Sequence, residues 1–133
     1  ILNKITNILL FQGNVLEFLD LLDQKKIFDE VWILFPDPWP KLRHQKRRLV
    51  NQSFLKLIHL FIKNNGSLNI GSDSKSYNNA ILKLIYNLQD LYLWKNQNFA
   101  DYNYDFLNLP RTKFYQKAIK SNRNSMFFKL NKI

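Results

Sequence analysis

From Phe35 to Leu49 the chain reads Phe-Pro-Asp-Pro-Trp-Pro-Lys-Leu-Arg-His-Gln-Lys-Arg-Arg-Leu, and its most distinctive chemistry is gathered there. Three of the four prolines flank one carboxylate, Asp37, and one indole, Trp39. Each proline fixes its own φ and drives the residue before it toward extended backbone, so Asp37 and Trp39 are expected to be held extended with little freedom. A loop stiffened in this way presents its side chains at low entropic cost. Directly downstream, Lys41, Arg43, Lys46, Arg47 and Arg48 put five cations into eight residues. An acid, a large π-face and clustered cations suit capture of a purine in a nucleic acid. The carboxylate accepts from ring or exocyclic N–H groups, the indole stacks, and the cations hold phosphates. The competing interpretation is a proline-stiffened turn whose Trp fills a core gap, beside a solvated charged face.

Charge distribution favours the first interpretation. The 133 residues carry 20 Lys and Arg against 10 Asp and Glu, a net +10, but 15 of the cations are Lys and the chain is also rich in Asn, Ile and Phe. That bias is expected of an AT-rich genome, so part of the basicity has no functional content. Residues 1 to 40 are net acidic, with three Lys against six acids, whereas the remainder holds 17 basic and four acidic residues. Three of the five Arg fall within Lys41 to Arg48, and diffuse drift toward Lys does not gather scarce Arg in one place. The block is therefore read as a phosphate-contacting surface.

Cysteine is absent, which removes disulfides, thiolate zinc sites and cysteine nucleophiles, and two His leave little for a metal site, so no metal is expected. No apolar run approaches the about 20 residues that span a bilayer, and the opening Ile1-Leu2-Asn3-Lys4 lacks a signal-peptide pattern. A cytoplasmic protein with no membrane partner is expected, with a monomer as the default state.

The elements that must position Asp37 are legible from hydrophobic spacing. Ile8-Leu9-Leu10-Phe11 reads as a short buried strand closed by Gln12-Gly13-Asn14, and Val15, Leu16, Phe18, Leu19 and Leu22 follow at helical spacing. Val31 to Phe35 is a continuous β-branched and aromatic run, as for a strand buried on both faces of a parallel sheet, and it stops at Pro36. Val50, Phe54, Leu57, Ile58 and Phe61 mark a helix stopped by Asn64-Asn65-Gly66. Ser67 to Gly71 reads as a strand, Ala80 to Leu88 as a helix, and Leu91–Trp94 and Met126–Leu130 as closing strands. Strands alternating with helices predict a doubly wound α/β sheet with right-handed crossovers.

Such sheets bind ligands in the crevice beyond the carboxyl ends of their strands. Asn14, Asp37 and Asp73 occupy those positions, although Asn and Asp are also ordinary turn residues. His59 lies among Leu57, Ile58 and Leu60 and reads as a structural imidazole; His44, inside the cationic block, reads as a phosphate or base contact.

The stretch from Phe35 to Leu49 resembles the signature of the bacterial tRNA (guanine-N7-)-methyltransferases, class I enzymes that use S-adenosylmethionine to methylate a guanine in the tRNA variable loop, at position 46. Gly71-Ser72-Asp73 resembles the family's Thr-Asp after the next strand. Arg111-Thr112-Lys113-Phe114-Tyr115-Gln116-Lys117 resembles its C-terminal Thr-x-Phe-Glu-x-Lys/Arg motif, and Gly13-Asn14-Val15 resembles its Gly-Asp-Ala turn. The resemblance implies that Asp37 is the active-site carboxylate and touches the methyl donor, with Asn14 near the adenosyl group. It implies that Lys41 binds substrate, that Asp73, Thr112, Lys113, Phe114 and Tyr115 line the guanine site, and that Arg43, His44, Gln45, Lys46, Arg47 and Arg48 meet RNA. Asn14 departs from the family's Asp, and Tyr115 from its Glu.

A Rossmann-like class I methyltransferase sheet with helices on both faces is therefore expected, lacking its first two strands and the Gly-rich donor loop. Gly13, Gly66 and Gly71 are too far apart to build that loop. Residues 1–133 are expected to be the C-terminal part of a single methyltransferase domain, truncated ahead of Ile1 and poorly folded in isolation. Two alternatives stay open: an exocyclic-amine N-methyltransferase, whose related loop carries a second Pro where this chain has Trp39, and a non-catalytic RNA-binding remnant of a decayed gene.

Overall fold

Four strands, four α-helices and two short 3₁₀ helices account for the regular structure of residues 6–103 and 110–133, the part described in a computed structural model of the chain. Strands β1 (Phe28–Leu34), β2 (Ile62–Ser72), β3 (Tyr92–Trp94) and β4 (Met126–Lys132) form one sheet in the order β1-β2-β4-β3. The β1–β2 pair is parallel and is joined through helix α2 (Gln52–Phe61), as a parallel connection requires. The β2–β4 and β3–β4 pairs are antiparallel. The sheet is thus mixed, because β4 enters against its neighbours.

Each helix starts where a short polar side chain can take an unpaired N–H. Asn14 accepts from Leu16 at 2.9 Å at the head of α1 (Val15–Asp20), and Asn51 accepts from Phe54 at 2.9 Å at the head of α2. Ser74 caps α3 (Lys75–Asn87) and Thr112 caps α4 (Lys113–Lys120). Helix α2 buries Phe54, Leu55, Ile58 and Phe61, and α3 buries Tyr77, Ile81 and Ile85 at four-residue spacing. These side chains join Ile33, Leu68, Ile70, Phe128 and Leu130 of the sheet in one core. Phe127, one residue from Phe128 and so on the opposite face, meets Phe35 and Tyr115 instead. Across from it Gly71 leaves room: a Cβ there would lie 2.5 Å from Cε1 of Phe127.

Three sequence expectations change. Ile8 to Phe11 is not a strand; Leu9 and Leu10 are 99% and 95% exposed, and Phe11 rests on Phe18 of α1 with ring centroids 5.0 Å apart. An extended segment needs a neighbouring strand for its backbone groups, and none lies beside it among the described residues. For the same reason β1 is not buried on both faces: among the described residues it pairs with β2 alone, and Trp32 and Leu34 are exposed. Helix α2 ends at Phe61, before the Asn-Gly stop, and Asn64 to Gly66 instead lie within a register shift between β1 and β2. Gly66 is obligatory there, since a Cβ would come within 2.8 Å of the Asp29 carbonyl oxygen.

At the far end of the sheet Lys132 donates to the carbonyls of His59 and Ile62 at 2.7 and 2.8 Å, satisfying the C-terminal end of α2. His59 is structural, as its neighbours predict: its ring meets the Tyr92 ring edge-on at 5.4 Å, and its Nε2 is buried with no partner. Burial, and secondarily the charge of Lys132, hold its pKa below 6.5. The folded state therefore resists a proton that the unfolded chain accepts. The resulting stability is present above about pH 6.5 and is lost as pH falls through the folded pKa. Urea midpoints measured from pH 7 down to 5 are expected to fall more steeply in the native chain than in His59→Gln.

Candidate active site

Asp37 follows β1 and Asp73 follows β2, so the parallel register delivers both carboxylates to the same end of the sheet. With α4 they line a cleft of about 1500 Å³, whose walls include Phe35, Phe114, Tyr115, Asn78, Lys117 and Arg123. Phe35 ties the walls together, stacking on Phe114 at 6.3 Å and meeting Phe127 edge-on at 6.1 Å.

The proline loop is shaped differently from its sequence expectation. Phe35 and Trp39, both followed by proline, have φ of 52° and 41° rather than extended values. Left-handed backbone at a bulky residue costs about 1–3 kcal/mol and persists only where surrounding contacts hold it. Three hydrogen bonds act on the loop, the first from the Phe35 N–H to the Gly71 carbonyl at 2.8 Å. Asp37 Oδ1 accepts from the Trp39 N–H at 3.4 Å, and Arg48 Nε donates to the Pro38 carbonyl at 2.8 Å. The indole is also occupied: the Arg47 guanidinium lies 5.0 Å from its centroid, and His44 meets it edge-on at 5.9 Å.

Lys41 to Arg47 continue as an exposed 3₁₀ turn (Leu42–Arg47) in which Arg43, Lys46 and Arg47 face solvent and His44 and Gln45 are half-buried. Arg48 separates from them. It is 5% exposed, donates from Nη2 to Ser76 Oγ at 2.8 Å, and lies 4.7 Å over the Tyr77 ring. Its place is inside the fold, unlike the rest of the block.

Of the other expected site residues, Asp73, Phe114 and Tyr115 line the cleft with Asp37. Asn14, Lys41, Thr112 and Lys113 do not. The oxygens of Asn14 and Thr112 cap α1 and α4. Sequence reasoning missed Arg123, whose Nε donates to Asp73 Oδ2 at 2.7 Å, and Asn78, 2% exposed beside the cleft with an unpartnered Oδ1. No motif marked either; only the return of β4 beside β2 brings Arg123 to a residue 50 positions away. Both partners of this ion pair keep solvent contact, so Arg123→Ala is expected to cost no more than about 1 kcal/mol in urea denaturation.

Residues 2–128 match the model of a family described as "Putative methyltransferase". The chain belongs to this methyltransferase family. It is 37% identical over 135 residues to a bifunctional methyltransferase of Rickettsia conorii, a match covering 98% of this chain and 24% of that protein. It is 32% identical to the tRNA (guanine-N(7)-)-methyltransferase of Wolbachia pipientis wMel, covering 99% of this chain and 56% of the relative. Against the enzyme of that name from Buchnera aphidicola the identity is 37%, over 96% of this chain and 54% of the relative. The chain thus spans about a quarter of the first of these proteins and just over half of the other two. Its mixed open sheet with flanking helices is that of an α/β class I methyltransferase. Among the described residues no three His, Cys, Asp or Glu side chains are grouped to hold a metal ion, and no helix is long and apolar enough to cross a membrane.

Proposed function

We propose that the protein transfers a methyl group from S-adenosylmethionine to N7 of a guanine in tRNA, at position 46 of the variable loop, and that residues 1–133 are the C-terminal part of one methyltransferase domain. The supporting observation is the convergence of Asp37, Asp73, Phe114 and Tyr115 on one cleft, with a solvent-facing basic turn directly after the Asp37 loop.

The residues present fit the methyl donor at one point. Asp37 is exposed at the cleft, with Oδ1 in one long bond and Oδ2 free, so its carboxylate can face a cation. Asn14 lies outside the cleft and caps α1 through Oδ1. When bound, the donor supplies an electrophilic methyl group. Guanine N7 already holds an in-plane lone pair, so no residue has to remove a proton first. The chain's task is alignment, together with a negative charge near the imidazole ring as that ring becomes positive. Asp37 fills the second role, and Phe114 and Tyr115 offer apolar surface for the base. Asp73, held by Arg123 through Oδ2, keeps Oδ1 available to accept from the N1–H or amino group of guanine.

The test is nucleoside analysis of tRNA incubated with S-adenosylmethionine and the protein expressed from its complete reading frame. The expected product is 7-methylguanosine. An N-methylated exocyclic amine would replace this reading with the amine-methyltransferase one, and tRNA binding without any methylated nucleoside would leave only the RNA-binding remnant.

A further inference from the structure

The basic block holds one member turned away from solvent. Arg48 is the last of five cations that a sequence reading treats alike, yet it is 5% exposed while Arg43, Lys46 and Arg47 lie in solvent. Burying a guanidinium is costly unless donors on it are paired, and two of them are. Nε donates to the Pro38 carbonyl, Nη2 donates to Ser76 Oγ, both at 2.8 Å, and the planar group covers the Tyr77 ring at 4.7 Å. Tyr77, on the buried face of α3, in turn accepts the Val50 N–H through its hydroxyl at 2.8 Å and is fully buried. One side chain therefore ties three things together: the loop that presents Asp37, the start of α3 just beyond Asp73, and the core.

We infer that Arg48 is the positioning residue of the Asp37 loop, clamping Pro38 against the first turn of α3 so that Asp37 and Asp73 keep a fixed separation. The loop needs such a clamp. The residues flanking Pro36-Asp37-Pro38, Phe35 and Trp39, sit at positive φ; the Phe35 N–H donates to the Gly71 carbonyl at 2.8 Å, which leaves Trp39 as the position that relaxes unless contacts over-determine it. Proline rigidity does not supply the restraint, because a following proline favours extended backbone at Phe35 and Trp39, and both sit at positive φ instead. Apart from the 3.4 Å contact inside the loop, the bond from Arg48 to the Pro38 carbonyl is the hydrogen bond that anchors Asp37 to Pro40 from outside among the described residues. The catalytic part assigned to Asp37 rests on the proposed function, but the clamp is a property of the loop and is measurable without turnover.

The test uses backbone relaxation of the Trp39 amide, with β2 amides as the internal control, in protein expressed from its complete reading frame. In the native protein the Trp39 order parameter is expected near about 0.85, and in Arg48→Met below about 0.6, with β2 unchanged. Arg48→Lys, which keeps a cationic donor, is expected to fall between them. A Trp39 amide as ordered in Arg48→Met as in the native protein would overturn the inference. If Arg48→Met does not fold, Ser76→Ala decides: it removes one of the two clamp bonds, and a Trp39 order parameter left unchanged would overturn the inference, while a selective drop supports it. A second readout separates a clamp from a phosphate contact. Arg48→Lys is expected to leave the salt dependence of tRNA binding unchanged, whereas Arg47→Gln lowers its slope by about 0.7–0.9. A matching loss of slope in Arg48→Met would reassign Arg48 to the RNA.

Discussion

Replacing Asp37 with Asn is expected to lower kcat for methylation of guanine N7 by about 10²-fold, with tRNA affinity nearly unchanged. The substitution keeps the size of the side chain and an oxygen that can accept the Trp39 N–H, so the loop is retained and only the charge is lost. N7 alkylation leaves the imidazole ring positive, and a carboxylate beside it stabilises the transition state more than the neutral ground state. Single-turnover rates at saturating tRNA measure this directly. A rate near that of the native protein would limit Asp37 to binding and remove the electrostatic part of the proposal.

The second large effect concerns the 3₁₀ turn. Converting Arg43, Lys46 and Arg47 together to Gln is expected to weaken tRNA binding by about 10²-fold at moderate salt. It should also lower the slope of log K against log salt concentration by about 2 to 3, since each lost phosphate contact removes about 0.7–0.9. All three side chains are exposed, and Arg47 is braced by its stacking on Trp39. Stability should change little, as surface substitutions away from caps and core seldom exceed about 0.5 kcal/mol. Filter binding across a salt series reads the slope, and an unaltered slope would place the turn away from the RNA. Arg48 is left out of this set because its guanidinium is inside the fold.

Helix α2 and strands β1, β2 and β4 were readable because each carries a local signal: apolar residues at three- and four-residue spacing, or short β-branched and aromatic runs bounded by turns. The cap residues Asn51 and Ser74 stand immediately before α2 and α3, where local hydrogen bonding places such residues. Ile8 to Phe11 carried the same strand signal as Val31 to Phe35 and did not become one. Strand pattern reports the preference of a segment, while a strand also requires a neighbour to receive its hydrogen bonds.

Within the site, the sequence by itself determined that an acid, an indole and a run of cations stand beside one another between Pro36 and Arg48, because that proximity is covalent. It also placed Asp37 and Asp73 after strands, hence on one end of the sheet once those strands run parallel. Only the tertiary structure decided that Arg48 turns inward while Arg47 turns out, that Trp39 carries a guanidinium on its ring, and that Arg123 meets Asp73. The physical reason is the same in each case. Spacing along the chain says which residues are near one another, but which way a long, flexible, charged side chain goes depends on whether buried acceptors lie within its reach. For Arg48 those are the Pro38 carbonyl and Ser76, the second supplied by a helix 28 residues further on.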